Sequence, residues 1–582
     1  MLEDPRTALA FALTGVLVLA CTPRERPPSG RVPAEERAMA EPADLILRGG
    51  TIHTLDPAHP SARAVAIKRG RVLAVGEDDA IVRAHGGPST KVIDLQGRTV
   101  VPGLIDAHFH LFAVGEQGSI VDLIGTQSVA QVREKVAAAV KTARPGAWII
   151  GRGWDQNDWS GSNAAFPTAA DLDGATNDHP VLLERVDGHA VWVNSAALTA
   201  AKITKDTKDP TGGKVLRANG LPTGVFIDNA SSLVYASVPP PTASELKARV
   251  LAGQKECLRF GLTEIHEMGV SQAELDVLRE LDAAGELKLR IYAMVSGGAD
   301  GFAALLGAGP TIPDRDTRAR LTVRGVKLYL DGALGSRGAA LLAPYLDDRK
   351  NSGLLVTDER TFEAQVQIAK DKGYQVATHA IGDRANRVAL DVYQRVFGKD
   401  LPAARARVEH AQVVAPSDLP RFGALGVIAS MQPTHATSDM PWAEQRVGPE
   451  RIRGAYAWRT LLTSNATLAA GSDAPVEAVS PLLGLYAAMT RQDRQGSPPA
   501  GWQSDQRLSP IAALSIFTRG AAYASFREDR AGMIREGFDA DLTVLDVDPL
   551  EGAARLLEAN AELTVVGGEI AFDRRGTERA TQ

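Results

Sequence analysis

The stretch VVPGLIDAHFHLF, from Val100 to Phe112, is the part of the sequence from which the fold is predicted. It is apolar for most of its length, yet His108 and His110 stand near its end. Alternate side chains of a β-strand point to the same side, so the two imidazole rings can converge on one point. A buried imidazole needs partners for its ring nitrogens. The pattern therefore indicates a buried strand that ends at a polar site, and a metal ion is one group that such a site can hold.

Further apolar strand candidates recur along the middle of the chain, each followed by a helical pattern. With the first stretch they are VPGLIDAHF, AWIIGRG, PVLLERV, LTEIHE, LTVRGVKLYL, GYQVATHA, ARVEHA, GVIASMQ and ATLAAGSD. This is one more than the eight strands of a (β/α)₈ barrel, so we expect the second or the third to belong to an insertion. Residues 157–240 are long and irregular, and we interpret part of them as loops over the barrel mouth.

Both ends of the chain have short alternating strands separated by glycine-containing turns, as in DLILRGGTIHTL and AELTVVGGEIAFD. We therefore predict an α/β protein, a (β/α)₈ TIM barrel with a small β-sandwich built from both chain ends. The predicted segments are a signal peptide at 1–20, a linker at 21–43, sandwich parts at 44–103 and 526–575, the barrel domain at 104–525 and a tail at 576–582.

The N-terminal run from Ala8 to Cys21, ALAFALTGVLVLAC, is uncharged and too short to span a bilayer comfortably. It resembles the apolar region of a secretory signal, and its end, VLAC, resembles the lipidation site of a bacterial lipoprotein. We expect an exported, periplasmic or membrane-anchored protein that contacts the membrane only through a lipid on Cys21. The alternative is a buried helix. Because Cys257 is the only other cysteine, a lipidated Cys21 leaves no internal disulfide.

Charge and composition exclude some classes of partner. Net charge is −6 and no long basic run appears, so we do not expect nucleic acid as a partner. The chain is 582 residues long and 44% hydrophobic, which is enough for a barrel and a further folded unit.

Polar residues stand at the carboxyl ends of the predicted barrel strands, where TIM barrels build their active sites. Any one histidine there is more often a hydrogen-bonded core residue. Lys327 is more informative, because a buried ammonium needs a carboxylate partner, neutralisation or chemical modification. The set as a whole indicates a site, and it comprises His108, His110, Lys327, His379, His410 and Asp473.

This order of residues, HxH, K, H, H and D, resembles the amidohydrolase superfamily. The flanking segments are similar to its amidohydrolase 3 branch, the YtcJ-like proteins, and to N-substituted formamide deformylases. They are VPGLIDAHFHL, DGALGSRGA, THAIGDRA, RVEHAQ, MQPTHATSD and AAGSDAPV. The resemblance covers the chain from Asp44 to about Phe572.

The resemblance implies two divalent metal ions. His108, His110 and Asp473 would bind one ion, His379 and His410 the other, and Lys327, carboxylated on its amine, would bridge both. Imidazole and carboxylate ligands suit zinc, with manganese, iron and cobalt as alternatives. D-aminoacylase relatives use a cysteine ligand, but Cys257 falls on a predicted helix, which favours the lysine.

The resemblance also implies a metal-dependent hydrolase of carbon–nitrogen bonds other than peptide bonds. A metal-activated hydroxide would attack the carbonyl of a small N-acyl or N-formyl amine, and Asp473 would carry the proton to the departing amine. His189 and His435 are the candidates for orienting the carbonyl, with loop histidines in structural hydrogen bonds as the alternative. Asp331 and Arg337 are weaker candidates, for a pair that holds the loop after Lys327. The alternative activities are a deaminase, a cyclic amide hydrolase or a metal-binding lipoprotein with a regulatory role, and a homodimer is compatible with each.

Overall fold

The computed structural model describes residues 41–159, 165–176, 179–297, 302–314, 318–574 and 576. The predicted signal peptide, Cys21 and nearly all of the predicted linker lie outside the described residues. Among the helices that the structure describes, none combines the length and the apolar character needed to cross a membrane.

An eight-stranded parallel sheet, with its strands in sequence order, forms the centre of the molecule. Its last strand returns to its first, because the Asp473 N–H donates to the His108 carbonyl at 2.8 Å and the His110 N–H donates to the Ala474 carbonyl at 3.0 Å. The predicted TIM barrel is therefore confirmed. Its strands, here β1 to β8, are Leu104–Phe109, Leu262–Val270, Arg290–Ser296, Leu321–Tyr329, Gln375–Ala380, Arg407–His410, Ile428–Met431 and Leu468–Ala470.

One barrel strand differs from the prediction. The third strand, Arg290–Ser296, was not among the candidates, and neither AWIIGRG nor PVLLERV lies in the barrel. Those two segments pair in parallel with each other in a separate sheet. Local pattern could not separate them from barrel strands, because they too are apolar and are buried in a core of their own, which holds Trp154 and Trp192.

This separate sheet is an insertion between β1 and β2. It places a turn, with His189 in it, between the strands Val181–Arg185 and Ala190–Val193. The other strands of the sheet are Val121–Asp122, Ile149–Trp154, Gly213–Ala218 and Leu221–Asp228, and its helices are Val129–Val140, Ala169–Thr176 and Ser195–Ala200.

The sandwich contains strands from both ends of the chain, as predicted. Leu542–Leu545 pairs antiparallel with Thr99–Pro102, so a C-terminal strand completes an N-terminal sheet. Leu47 and Val100 share one apolar core with Val544. One sheet has the strands Leu45–Arg48, Ala64–Lys68, Arg71–Gly76 and Lys91–Asp94, and the other has Thr51–His53, Ser61–Ala62, Thr99–Pro102, Leu542–Leu545, Ala561–Val566 and Glu569–Asp573.

The amphipathic segments SELKARVLAGQKECLRFG and ERTFEAQVQIAKDKG form the helices Ala243–Arg259 and Glu359–Asp371. Thr242 begins the first with a capping box and Asp358 caps the second, which satisfies backbone N–H groups that have no partner inside the helix. The remaining helices are Asp78–His85, Leu111–Glu116, Ser232–Tyr235, Gln272–Ala283, Phe302–Leu305, Asp383–Phe397, Leu401–Ala404, Leu419–Leu425, Pro433–Asp439, Ala443–Arg451, Trp458–Thr463, Pro481–Thr490, Pro510–Ile516 and Arg519–Ala524.

Candidate metal centre

The predicted ligands lie together at the carboxyl end of the barrel. His108 is on β1, Lys327 on β4 and His379 on β5, and all three are buried. The Lys327 Nζ atom is 3.1 Å from Nε2 of His108. The ring centroid of His410, at the end of β6, is 4.6 Å from that of His379 and 4.8 Å from that of His108.

Asp473, which follows β8, is at the centre of this group. Its Oδ1 atom is 3.3 Å from Nε2 of His108 and 3.0 Å from Nε2 of His110. Its Oδ2 atom is 4.0 Å from Nδ1 of His410. Ligand atoms of His108, His410 and Asp473 all lie within 4.8 Å of one another, which is a spacing that one cation can bridge.

The donor atoms at this point suit a divalent metal ion. Imidazole nitrogens and a carboxylate oxygen are the ligands that zinc and its neighbours in the first transition row prefer. The Nε2 atom of His379 is buried and has no hydrogen-bond partner in the part of the chain that the structure describes. A metal ion would satisfy this nitrogen, which otherwise carries the cost of an unpaired buried polar atom.

The charge states of the ligands agree with metal binding. Burial lowers the pKa of His110, His379 and His410, so these rings are neutral and present a free lone pair at neutral pH. Burial acts to raise the pKa of Asp473, but the charge of His108 and the hydrogen bonds of both neighbouring rings outweigh it. The pKa of Asp473 therefore lies well below its ordinary value, and the side chain is a carboxylate.

Lys327 is only 1% exposed. Burial lowers the pKa of its amine to about 8, while the charges of Glu409 and Asp473 act in the opposite direction. About a tenth of the amine is therefore neutral at pH 7, far more than for an ordinary lysine, and a neutral amine is the form that reacts with carbon dioxide.

The predicted orienting residues and the candidate ligands line the same cavity. Its volume is about 440 Å³. The ring of His189 is 4.9 Å from that of His379, and its Nδ1 atom is 2.8 Å from Oδ1 of Asp228. His435 is on the helix Pro433–Asp439, and its Nε2 atom is 3.8 Å from Oδ2 of Asp473. This nitrogen too is buried without a hydrogen-bond partner among the described residues.

A sequence comparison decides the family. The model of the Amidohydrolase family matches residues 91–572 of the chain. The chain belongs to the amidohydrolase family. The predicted resemblance is thereby confirmed.

Three similar proteins illustrate the relationship. YtcJ of Bacillus subtilis (strain 168) is 32% identical over 538 residues, which cover 91% of this chain and 99% of YtcJ. The N-substituted formamide deformylase of Arthrobacter pascens is 27% identical over 563 residues, covering 93% of this chain and 100% of that enzyme. The crystal structure of a metal-dependent hydrolase from Pyrococcus horikoshii OT3 superposes with a TM-score of 0.71 and 29% identity, covering 88% of this chain and 99% of that one.

The amidohydrolase also has supporting residues that the sequence analysis missed. Oε2 of Glu409 is in hydrogen-bond contact with Nδ1 of His108 at 2.7 Å. Nε of Arg407 donates to Oε1 of Glu409 at 2.7 Å. Oε1 of Gln432 is in hydrogen-bond contact with Nδ1 of His410 at 2.8 Å. Such partners fix the orientation of a metal-binding ring. The signal available was the segment RVEH, in which Arg407 and Glu409 are two residues apart and so share the side of β6 that faces the barrel interior.

The expected pair of Asp331 and Arg337 is not formed, and that prediction is wrong. Asp331 accepts hydrogen bonds from the backbone N–H groups of Ala340, Ile381 and Gly382, at 2.8, 2.9 and 2.8 Å. Arg337 donates to Asp347 at 2.9 Å instead. The carboxylate is satisfied by the backbone of two loops, which leaves no role for the guanidinium.

Proposed function

We propose that this amidohydrolase hydrolyses the carbon–nitrogen bond of a small N-acyl or N-formyl amine. The observation that carries the proposal is the position of Asp473, which contacts His108 and His110 through one oxygen and faces His435 across 3.8 Å through the other. One carboxylate can thus hold a metal ion and exchange a proton beside the substrate.

The donor atoms suit divalent ions, with zinc favoured, and the family resemblance is the basis for proposing two of them. His108, His110 and Asp473 would hold one, and His379 and His410 the other, with Lys327 as a bridging carbamate. When bound, the ions lower the pKa of a water molecule and polarise the carbonyl group.

The chain's own residues supply proton transfer and orientation. Asp473 is deprotonated, so it accepts the proton of the attacking water and donates it to the departing amine. Burial acts to lower the pKa of His189, but the hydrogen bond and charge of Asp228 together with the charges of Asp187 and Asp331 outweigh it, so the pKa of His189 is raised. With Nδ1 engaged by Asp228, Nε2 of His189 is free to donate to the substrate carbonyl oxygen. The unpartnered Nε2 of His435 is a second donor for the same oxygen.

The proposal is tested by screening zinc-loaded protein against N-formyl amines, N-acyl amino acids, cyclic imides and aminated heterocycles. We expect amine release from the first or second group. Turnover of only cyclic imides or only aminated heterocycles would replace the proposal with a cyclic amide hydrolase or a deaminase.

The variant Asp473→Asn separates an enzyme from a metal-binding protein. It keeps a side-chain oxygen as a ligand but removes the proton acceptor, so kcat should fall about 10³-fold while most of the zinc is retained. Full activity in this variant would show that Asp473 is not the base.

A further inference from the structure

A second cavity, of about 660 Å³, adjoins the catalytic cavity. The two share the side chains of Arg152, Ser438, Val476 and Glu477 as walls. Val476 is close to the reacting groups, since its backbone N–H donates to the carbonyl of Asp473 at 2.8 Å. The second cavity therefore borders the place where a substrate amide would react.

The two cavities differ in their lining. The catalytic cavity is lined mainly by histidines, carboxylates and arginines. The second cavity has an apolar wall built from the insertion, the helix Ala243–Arg259 with its flanking residue, and the helix Pro481–Thr490. That wall includes Ile120, Ile124, Phe260, Val479, Leu483 and Ala487.

One member of this wall is open to solvent. Ile124 is 49% exposed and lines the second cavity. An apolar group that enters the cavity and covers this side chain would gain free energy from the apolar surface removed from water.

The charged residues around the second cavity determine which substituents it disfavours. Its walls carry the carboxyl groups of Asp122, Glu256, Glu477 and Asp493. They also carry two guanidinium groups, but that of Arg152 is paired with Glu184, just as the carboxylate of Glu256 is paired with Arg259. Three carboxyl groups, those of Asp122, Glu477 and Asp493, then face the guanidinium of Arg494. Negative charge thus exceeds positive charge, which disfavours an anionic substituent.

We propose that the second cavity is a substrate subsite for an uncharged, apolar substituent of the amide, such as an alkyl chain. This inference rests on the proposed function and narrows it. It favours N-alkyl amides over N-acyl amino acids, whose carboxylate would enter a negatively charged chamber. Each methylene buried there should raise kcat/KM about fourfold.

The test uses zinc-loaded full-length protein and the formamides of methylamine, butylamine, hexylamine and octylamine. Wild-type kcat/KM should rise along the series, and N-formyl-6-aminohexanoate, with a chain of similar length and a terminal carboxylate, should be hydrolysed at least about tenfold less efficiently than N-hexylformamide. A rate that does not depend on chain length, or a carboxylate that improves it, would overturn the subsite.

Two variants fill the cavity from different walls. Ile124→Trp and Leu483→Trp should each lower kcat/KM for N-octylformamide about tenfold or more while leaving N-methylformamide nearly unchanged. Ile511→Trp is the matched control, because Ile511 is 50% exposed and lines neither cavity. Equal losses for the short and long substrates would contradict the proposal.

A measurement of substrate binding tests the proposed subsite independently of the proposed hydrolysis. If neither N-formyl amines nor N-acyl amino acids are hydrolysed, the proposed function fails, yet calorimetry still measures N-octylformamide binding to the zinc-loaded protein. Weaker binding in Ile124→Trp and Leu483→Trp but not in Ile511→Trp would support the subsite. Unchanged binding in both would refute it.

Discussion

The Nδ1 atom of His108 lies 2.7 Å from Oε2 of Glu409, although the two residues are 301 positions apart in the chain. Glu409 precedes His410 on β6. One short strand therefore supplies a candidate ligand and also the carboxylate that orients a ligand on another strand. Burial acts to raise the pKa of Glu409, but the charges of Arg407 and His108 outweigh it, so the pKa lies well below its ordinary value. The orienting group is a carboxylate at neutral pH.

Removing the negative charge of Glu409 should weaken metal binding without removing a metal ligand. In Glu409→Gln we expect zinc affinity to fall about 10- to 100-fold, because the His108 ring loses the charge that orients it. Competition with a chromophoric chelator measures the affinity. Glu267→Gln is the control, since Glu267 is also buried but, among the described residues, accepts a hydrogen bond only from the backbone N–H of Leu111, at 2.6 Å. Equal affinities in the two variants would show that Glu409 does not orient the ligand.

Lys327 should control the number of metal ions bound. Lys327→Ala should lose at least one metal equivalent, because the proposed bridge between the ions is gone. Reconstitution of metal-free wild-type protein should also be faster with added bicarbonate, which supplies carbon dioxide to the amine. Metal content is measured by atomic absorption, with Lys370→Ala as the control, since the Lys370 amine donates to a backbone carbonyl away from the site. Indifference to bicarbonate together with full metal content in Lys327→Ala would indicate a mononuclear site.

Two neighbouring histidines should respond differently to removal. The rings of His189 and His379 are 4.9 Å apart, but only His379 is a proposed ligand. In His189→Ala we expect kcat/KM to fall about 10²-fold with zinc content unchanged, because the loss is confined to substrate orientation. In His379→Ala the zinc content itself should fall. Loss of zinc from His189→Ala would make His189 a ligand as well.

The contact between sandwich and barrel should make the protein sensitive to acid. Asp541, just before a sandwich strand, accepts a hydrogen bond from Nε of Arg290 on β3 at 2.8 Å. Burial acts to raise the pKa of Asp541, but the charges of Arg290 and Arg527 outweigh it and hold the pKa well below its ordinary value. Since the folded pKa is depressed, this stabilisation is complete above a pH of about 4, the pKa of an unfolded aspartate, and is lost as the pH falls below it.

We expect Asp541→Asn to lower the free energy of unfolding by about 3 kcal/mol at pH 7, because the buried guanidinium of Arg290 loses the carboxylate that accepts its hydrogen bonds. Arg527 keeps its pairs with Glu264 and Asp539. The difference from wild type should shrink as the pH falls below about 4. Urea denaturation at a series of pH values measures both effects. Asp209→Asn removes a more exposed pair with Arg217 and should cost less than about 1 kcal/mol. A constant difference at every pH would contradict the assignment to Asp541.

Much of the candidate site could be predicted from local pattern. His108, His110, Lys327, His379, His410 and Asp473 each end or follow an apolar run, and parallel strands present their carboxyl ends at one edge of the sheet. The structure brings all of them together. The supporting residues Arg407, Glu409 and Gln432 could not be predicted in the same way. The sequence of a strand does not indicate which side chains of other strands its residues will contact.

By itself the sequence determined the strand and helix periods, the polar residues at strand ends and the β-rich segments at both termini, since all of these depend on neighbours within a few positions. Only the tertiary structure decided that Arg290–Ser296 is the third barrel strand, that AWIIGRG and PVLLERV belong to an insertion, and that this insertion places His189 beside His379. It also decided the contact of His108 with Glu409 and the apolar cavity beside the metal centre. These features arise from packing between segments far apart in the chain, where pairing and side-chain contacts depend on the whole fold rather than on local alternation.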